Sequence, residues 1–261
     1  MAKMMDNVEQ MDRQIESEFV DEVRDILSST DILLGNLRSQ PAKAPEALAR
    51  IRRDMLNVAI RGSTLDQPLV TVIAHRLGEY VADLKGLDER QIDDIQAFVD
   101  QIRNALEGKV DTSSDSSARI VRALPARIVS TFNPADVKVT NVEVLMVIPD
   151  KAVSRIVERE MAACGYRVSN VRSAFQAFEM IVRTRPDLVI VSGVLDELSG
   201  VDLANALVAM PATRMLPVAI LTSYEWGHPS LQDLPPRVPI IRKGPSFGDD
   251  LAEALSRLHI T

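Results

Sequence analysis

The sequence lacks any long hydrophobic run, and it contains one cysteine, three histidines and few aromatic residues. No apolar run reaches the roughly 18 residues of a membrane-spanning helix, so we expect no membrane insertion. Cys164 has no second cysteine to pair with, which favours a reducing compartment and predicts a cytoplasmic protein. His75, His228 and His259 lie far apart without the spacing of metal ligands. We therefore predict no metal site and no cofactor.

An excess of positive charge is also missing, since the formal net charge is −7 at neutral pH. Nucleic-acid phosphates are held by clustered Lys and Arg, so nucleic acid is not expected as a partner. The content of 46% hydrophobic and 26% charged residues is typical of a folded globular protein. The 261 residues leave room for two domains of ordinary size.

The first part of the chain has the periodicity of amphipathic helices. Apolar residues recur every three to four positions, and Pro or Gly stands near several boundaries. The pattern predicts helices over 15–37, 45–62, 67–84 and 88–106. Short connections between them favour an antiparallel four-helix bundle over 15–108, preceded by a tail over 1–14.

A polar stretch rich in Ser and Asp begins at Asp111 and predicts a linker over 109–141. A short helix over 118–124 fits the pattern, and its packing partner is left open. From 142 to 261 short apolar runs alternate with helical stretches. The predicted strands are 144–148, 166–171, 188–191, 218–221 and 239–241, and the predicted helices are 152–164, 174–183, 200–208 and 249–258. This alternation predicts a five-stranded parallel sheet with helices on both faces, and hence an α plus α/β protein.

Four motifs follow one another in the strand-and-helix half. They are Arg185-Pro-Asp-Leu-Val-Ile-Val-Ser192, Leu198-Ser-Gly200, Leu216-Pro-Val-Ala-Ile-Leu-Thr222 and Lys243. In this order they resemble the third strand, the turn after it, the fourth strand with its switch threonine, and the lysine after the fifth strand in the receiver domain of response regulators. That domain has a flavodoxin-like fold. The resemblance implies a receiver-like pocket at the carboxyl ends of the strands.

The same resemblance implies that the phosphorylation chemistry is lost. Ser192 occupies the position of the phosphorylated aspartate. The two acidic positions that hold Mg²⁺ in the family correspond to Ile148 and Pro149, or to Pro149 and Asp150 if one gap is allowed. One carboxylate with waters is a poor Mg²⁺ site, and a serine does not form the labile acyl phosphate. We expect a degenerate receiver, or pseudo-receiver.

The second predicted helix of the helical half contains Val58-Ala-Ile-Arg61-Gly62. This segment resembles the His-x-x-Lys-Gly core of the histidine phosphotransfer domain, in the version found in chemotaxis-type kinases. Val58 cannot accept a phosphoryl group. We expect Val58, Arg61 and Gly62 to form a docking face for a receiver or kinase partner, which includes this chain's own receiver-like half. The competing interpretation packs Val58 inside the bundle beside Ile51 and Met55.

Three functions are consistent with the sequence. The first is a non-catalytic regulator or adaptor that docks onto a histidine kinase, a phosphotransfer protein or a receiver domain. The second is an active phosphorelay protein that uses Ser192 or His75 as an atypical acceptor. The third is an unrelated enzyme on a doubly wound sheet, although the Gly-rich phosphate loops and the serine-hydrolase elbow are absent from the sequence. We expect the first, and no enzyme activity.

Overall fold

A computed structural model describes residues 2–82, 84–125 and 140–260. The chain divides into two compact units, Met1–Pro125 and Ala126–Thr261. The first unit is helical, and the second contains the sheet. The predicted fold class is confirmed.

The first unit contains long helices joined by short connections. Their bounds are α1 Ala2–Ser39, α2 Ala44–Thr64, α3 Pro68–Val81, α4 Glu89–Leu106 and α5 Ser114–Ala123. Arg38 pairs with Asp93 and Asp31 pairs with Arg103, so α1 and α4 run antiparallel. The helix predicted from Ile15 begins at Ala2 instead, so the residues expected to form a tail continue α1.

Local sequence explains where these helices begin. Pro45 and Pro68 lie in the first turns of α2 and α3, where a missing N–H is tolerated. Asp88 caps α4 in a capping box, because its side chain accepts from the N–H of Gln91 and the Gln91 amide accepts in return. The core consists of apolar stripes on the facing sides, including Phe19, Leu27, Leu34, Ile51, Met55, Ile73, Leu77, Ile95, Phe98 and Ile102.

Helix α5 lies inside the stretch predicted as a linker. Ala118, Val121 and Leu124 are buried, and the helix contacts α3. The short helix expected there is therefore an integral part of the first unit. The remainder of the predicted linker, 126–139, lies outside the described residues.

The second unit is built on a parallel sheet whose strands lie in the order β2-β1-β3-β4-β5. The strands are β1 Glu143–Val147, β2 Arg167–Val171, β3 Leu188–Ser192, β4 Val218–Thr222 and β5 Ile240–Arg242. The helices are α6 Lys151–Ala163, α7 Ala174–Thr184, α8 Gly200–Ala209 and α9 Phe247–Arg257. This order is that of the flavodoxin-like doubly wound fold.

Burial follows from the hydrophobic strands. Every residue of β1, β3 and β4 is buried, as expected for central strands covered on both faces. At the amino end of the sheet, Arg167 and Glu143 form an ion pair at 2.6 Å, largely removed from solvent. The connection from β4 to β5 contains only a short 3₁₀ turn, Pro229–Leu231. Among the described helices, none is both long and apolar enough to cross a membrane.

Candidate functional site

The carboxyl ends of β1, β3, β4 and β5 bring the predicted pocket residues to one edge of the sheet. Ser192 ends β3, Thr222 ends β4, and Lys243 follows β5. The N–H of Lys243 donates to the Thr222 carbonyl at 2.8 Å, and Lys243 acts electrostatically on Asp150. Working sites of open parallel sheets lie at this edge. The structure therefore brings together Asp150, Ser192, Thr222 and Lys243.

Asp150 is an exposed acid at this edge, and its carboxylate already has partners. Its Oδ1 accepts from the N–H of Ala152 at 2.7 Å and from that of Val153 at 3.0 Å, which caps α6. These backbone N–H groups, Val153 foremost, hold the pKa of Asp150 below its usual value, and Lys243 adds to the effect. The carboxylate is thus anionic and serves as a helix cap.

Ile148 is built into the core and not into the pocket. It is fully buried among the side chains of the sheet core. Its backbone is fixed by Asn170, whose Nδ2 donates to the Ile148 carbonyl at 3.1 Å and whose Oδ1 accepts from the Ile148 N–H at 3.3 Å. An amide therefore organises the loop after β1, and Pro149 beside it offers no ligand.

Ser192 and Thr222 are enclosed by tight backbone packing. Ser192 is 4% exposed. The Thr222 hydroxyl accepts from the N–H of Tyr224 at 3.1 Å. A Cβ on Gly200 would lie 2.1 Å from the Ser192 carbonyl oxygen, so only glycine allows α8 to start this close to β3. Gly200 in the Leu198-Ser-Gly200 motif thus has a packing role.

This arrangement does not fit a magnesium ion. No group of three or more His, Cys, Asp or Glu side chains suited to a metal occurs within residues 2–82, 84–125 and 140–260. Near-octahedral Mg²⁺ binding needs several hard oxygen ligands, whereas Ile148 is buried and Asp150 caps a helix.

His228 does not complete a serine-based catalytic pair in the described structure. Its ring stacks on Tyr224 with centroids 3.9 Å apart, and its Nδ1 accepts from the N–H of Ser230 at 3.1 Å. These contacts fix the loop after β4. They give no support to an enzyme built around Ser192.

In the helical unit, two of the three expected docking residues, Val58 and Gly62, are buried, whereas Arg61 is partly exposed. Val58 is 2% exposed and belongs to the bundle core, which corrects the expectation of an exposed apolar contact there. Arg61 forms an ion pair with Glu22 of α1, and its guanidinium lies 5.6 Å from the centre of the Phe19 ring. A Cβ on Gly62 would lie 2.7 Å from Thr71 Oγ1, so Gly62 allows close approach of α2 and α3.

His75, the alternative acceptor, lies on α3 with its Nδ1 buried. Among the described residues, that nitrogen has no hydrogen-bond partner. Burial, and to a lesser extent the charge of Arg76, lowers the pKa of His75 to about 4. The imidazole is therefore neutral at pH 7 and partly enclosed by the bundle.

An exposed apolar face on the outer side of α2 was not predicted from the sequence. Leu56 and Ile60 are each 59% exposed and lie one turn apart. Arg52 and Arg53 are exposed beside them, and neither has an ion-pair partner among the described residues. The helical spacing in the sequence indicates this face, since Leu56 and Ile60 lie outside the apolar stripe formed by Ile51, Met55, Val58 and Gly62. We call Arg52, Arg53, Leu56 and Ile60 the α2 outer face.

Comparison with solved structures finds receiver domains for the C-terminal part of the chain. The signal receiver domain of a signal transduction histidine kinase from Syntrophus aciditrophicus has 24% identity and a TM-score of 0.40, and covers 45% of this chain and 90% of its own. A chemotaxis response regulator of Vibrio cholerae has 18% identity and a TM-score of 0.40, with 45% and 98% covered.

The receiver domain of a sensor histidine kinase from Pseudomonas aeruginosa has 21% identity and a TM-score of 0.40, again with 45% and 98% covered. No protein-family model matches the chain, and no curated protein matches it in sequence. The similarity concerns the fold of the sheet-containing unit.

Proposed function

We propose that this protein is a non-catalytic regulator of two-component signalling that acts by docking onto a histidine kinase, a phosphotransfer protein or a receiver domain. One observation carries the proposal. The pocket edge keeps Thr222 and Lys243, but a buried serine ends β3 and a core isoleucine, fixed by Asn170, stands after β1. Phosphoryl transfer to a receiver needs a carboxylate nucleophile and a metal to neutralise charge. These residues supply neither a carboxylate nucleophile at the end of β3 nor a suitable set of metal ligands.

The first test asks whether the pocket responds to a phosphodonor. The protein is mixed with acetyl phosphate, or with beryllofluoride, in the presence of Mg²⁺. Trp226 is 74% exposed on the loop after β4 and reports changes near Thr222 by fluorescence. We expect no saturable Mg²⁺-dependent signal and no phosphate adduct by intact mass.

A variant with restored acids serves as the matched control. Pro149→Asp with Ser192→Asp adds two carboxylates beside Asp150, and an Mg²⁺-dependent response of this variant confirms that Trp226 reports on the site. A phosphate adduct on Ser192 or His75 of the unmodified protein would instead establish an active relay with atypical acceptors, and the proposal would fail.

We further propose that docking uses the α2 outer face. Its two exposed aliphatic side chains offer apolar contact, and Arg52 and Arg53 supply positive charge on a chain that is acidic overall. A partner surface that is apolar and acidic fits this chemistry, since opposite charges steer association. Val58 and Gly62 support α2 from inside, and Arg61 fixes it to α1 through Glu22.

Substitutions on this face test the docking proposal without touching the core. Leu56→Glu with Ile60→Glu should weaken binding to a purified receiver domain or kinase about tenfold to thirtyfold. This corresponds to roughly 1–2 kcal/mol at about 25 cal/mol per Å² of apolar area. Arg53→Glu should slow association and reduce its salt dependence.

The control is Ile32→Glu, because Ile32 is an equally exposed aliphatic residue on α1. Calorimetric titration gives the affinities, and thermal unfolding checks that the bundle is intact. Unchanged binding by both variants of the α2 outer face would exclude this face as the docking surface.

A further inference from the structure

The loop between β3 and α8 presents apolar side chains at the carboxyl edge of the sheet. The N–H of Gly200 donates to the Gly193 carbonyl at 3.1 Å, so the residues between them form a compact loop with its ends close together. Leu195 is buried and anchors this loop, whereas Val194 is 65% exposed and Leu198 is exposed as well. The loop therefore holds two apolar side chains toward solvent.

The start of α7 extends this apolar surface. Phe175 lies in the first turn of α7 and is 64% exposed. The Glu197 carboxylate accepts from the N–H of Ala174 at 3.4 Å and shares a hydrogen bond with the Ser173 side chain, which ties the β3–α8 loop to the beginning of α7. The loop and the helix start together form a surface here called the edge patch, which consists of Phe175, Val194, Asp196 and Leu198.

The charges around the edge patch are mostly negative. Glu197 and Asp202 are exposed, and both already accept from backbone N–H groups. Asp196 is exposed and has no ion-pair partner in the part of the chain that the structure describes. Arg172, which precedes α7, supplies one exposed positive charge. An apolar and acidic surface of this kind matches an apolar and basic protein surface, and it does not match the phosphates of nucleic acid.

The α2 outer face has the complementary chemistry. Leu56 and Ile60 are exposed, and Arg52 and Arg53 have no ion-pair partner among the residues described. Each surface thus presents apolar side chains beside an unpaired charge, and the two charges have opposite signs. The net charge of −7 repels copies at long range, but physiological salt screens charges beyond about 8 Å, so the local surfaces decide. A second copy of the chain therefore supplies a fitting occupant.

We propose that copies of the chain associate through the α2 outer face of one copy and the edge patch of another. The aliphatic side chains of α2 pack against Phe175 and Val194, and Arg53 lies beside Asp196. Two different surfaces meet in this contact, so further copies can add. The contact also covers the α2 outer face, so self-association competes with partner binding. This inference rests on the docking role proposed above for that face.

Sedimentation of the full chain over a concentration series, at about 0.15 M salt, measures the association. We expect the unmodified protein to self-associate reversibly. Phe175→Glu with Val194→Glu should raise the dissociation constant at least about tenfold, because charges enter an apolar contact. Met215→Glu is the matched control and should leave the dissociation constant unchanged. Met215 is exposed in the same unit but precedes β4, at the opposite edge of the sheet.

An exchange of charges tests whether these two surfaces meet. Arg53→Glu and Asp196→Arg each place like charges opposite one another, so each variant alone should associate at least about threefold more weakly. A mixture of the two variants brings opposite charges together again and should regain the association of the unmodified protein. Monomers at every concentration overturn the proposal, as does a mixture that associates no better than the single variants. Self-association unaffected by Phe175→Glu with Val194→Glu overturns it as well.

Binding of a purified receiver domain or kinase separates this inference from the docking function. If Leu56→Glu with Ile60→Glu weakens partner binding while the unmodified chain stays monomeric, the inference alone fails. If both surfaces support self-association but the same two substitutions leave partner binding unchanged, the docking function alone fails and the inference stands.

Discussion

At the scale of single residues, the proposed receiver-pocket equivalents have packing and capping contacts in the structure. Asp150 caps a helix, Gly200 permits a close backbone approach, and Thr222 binds its own loop. Each of these three residues has a structural partner within hydrogen-bond or van der Waals distance. Ile148 and Ser192, which we propose stand in place of receiver acids, are buried, so they offer little to a ligand.

His75 provides a pH-dependent prediction at this scale. Its pKa of about 4 lies below the ordinary value of 6.5, so the folded state binds fewer protons than the unfolded state between these values. Stability must therefore fall as the pH drops from about 6.5 to 4, by at most about 3 kcal/mol at 1.36 kcal/mol per pKa unit. His75→Leu should abolish this part of the acid sensitivity. The substitution should therefore change the free energy of unfolding less at pH 7 than at pH 4.

Denaturant titrations at several pH values measure this effect on the unfolding of the first unit. Trp226 fluorescence does not follow that transition, because Trp226 lies in the second unit. His228→Gln, in the other unit, serves as the control and should retain the acid sensitivity of the bundle. An unchanged pH profile in His75→Leu would mean that the pKa of His75 is the same in the folded bundle as in the unfolded chain.

At the scale of elements, the sequence predicted regular structure well wherever an apolar pattern was complete. α4 was predicted over 88–106 and runs Glu89–Leu106, because its stripe and its Asp88 cap are local features. β3 was predicted over 188–191 and extends to Ser192. Residues 2–14 of α1 were not predicted as helix, since the described side chains among them, Gln10 to Gln14, are exposed and no burial reinforces their periodicity.

The candidate site was predictable in position but not in chemistry. The strand ends place Asp150, Ser192, Thr222 and Lys243 at one edge, as expected for a parallel sheet. The hydrogen bonds between the Asn170 side chain and the Ile148 backbone join residues 22 positions apart. No local sequence pattern predicts them. Likewise, the resemblance placed docking at Val58, whereas helical phase puts Val58 in the core and Leu56 and Ile60 outside.

At the scale of the whole molecule, each unit contains its own hydrophobic core, which favours independent folding. The first unit includes α5, because Val121 and Leu124 are buried, and its boundary is at Pro125. The predicted linker over 109–141 contains trypsin sites on both sides of this boundary. Arg119 and Arg122 lie in α5, whereas Arg127 and Lys138 follow it.

Limited trypsin digestion should therefore cut first at Arg127 or Lys138 and leave two fragments that each unfold cooperatively. The cuts are expected there because few contacts cross the boundary between two units. Mass spectrometry locates them. Val121→Asp places a charge at a buried position and should release α5, so that Arg119 and Arg122 become early sites as well. Arg119→Gln tests that the new fragment arises at this residue. Early cleavage at Arg119 or Arg122 in the unmodified protein would show that α5 belongs to a linker and not to the bundle.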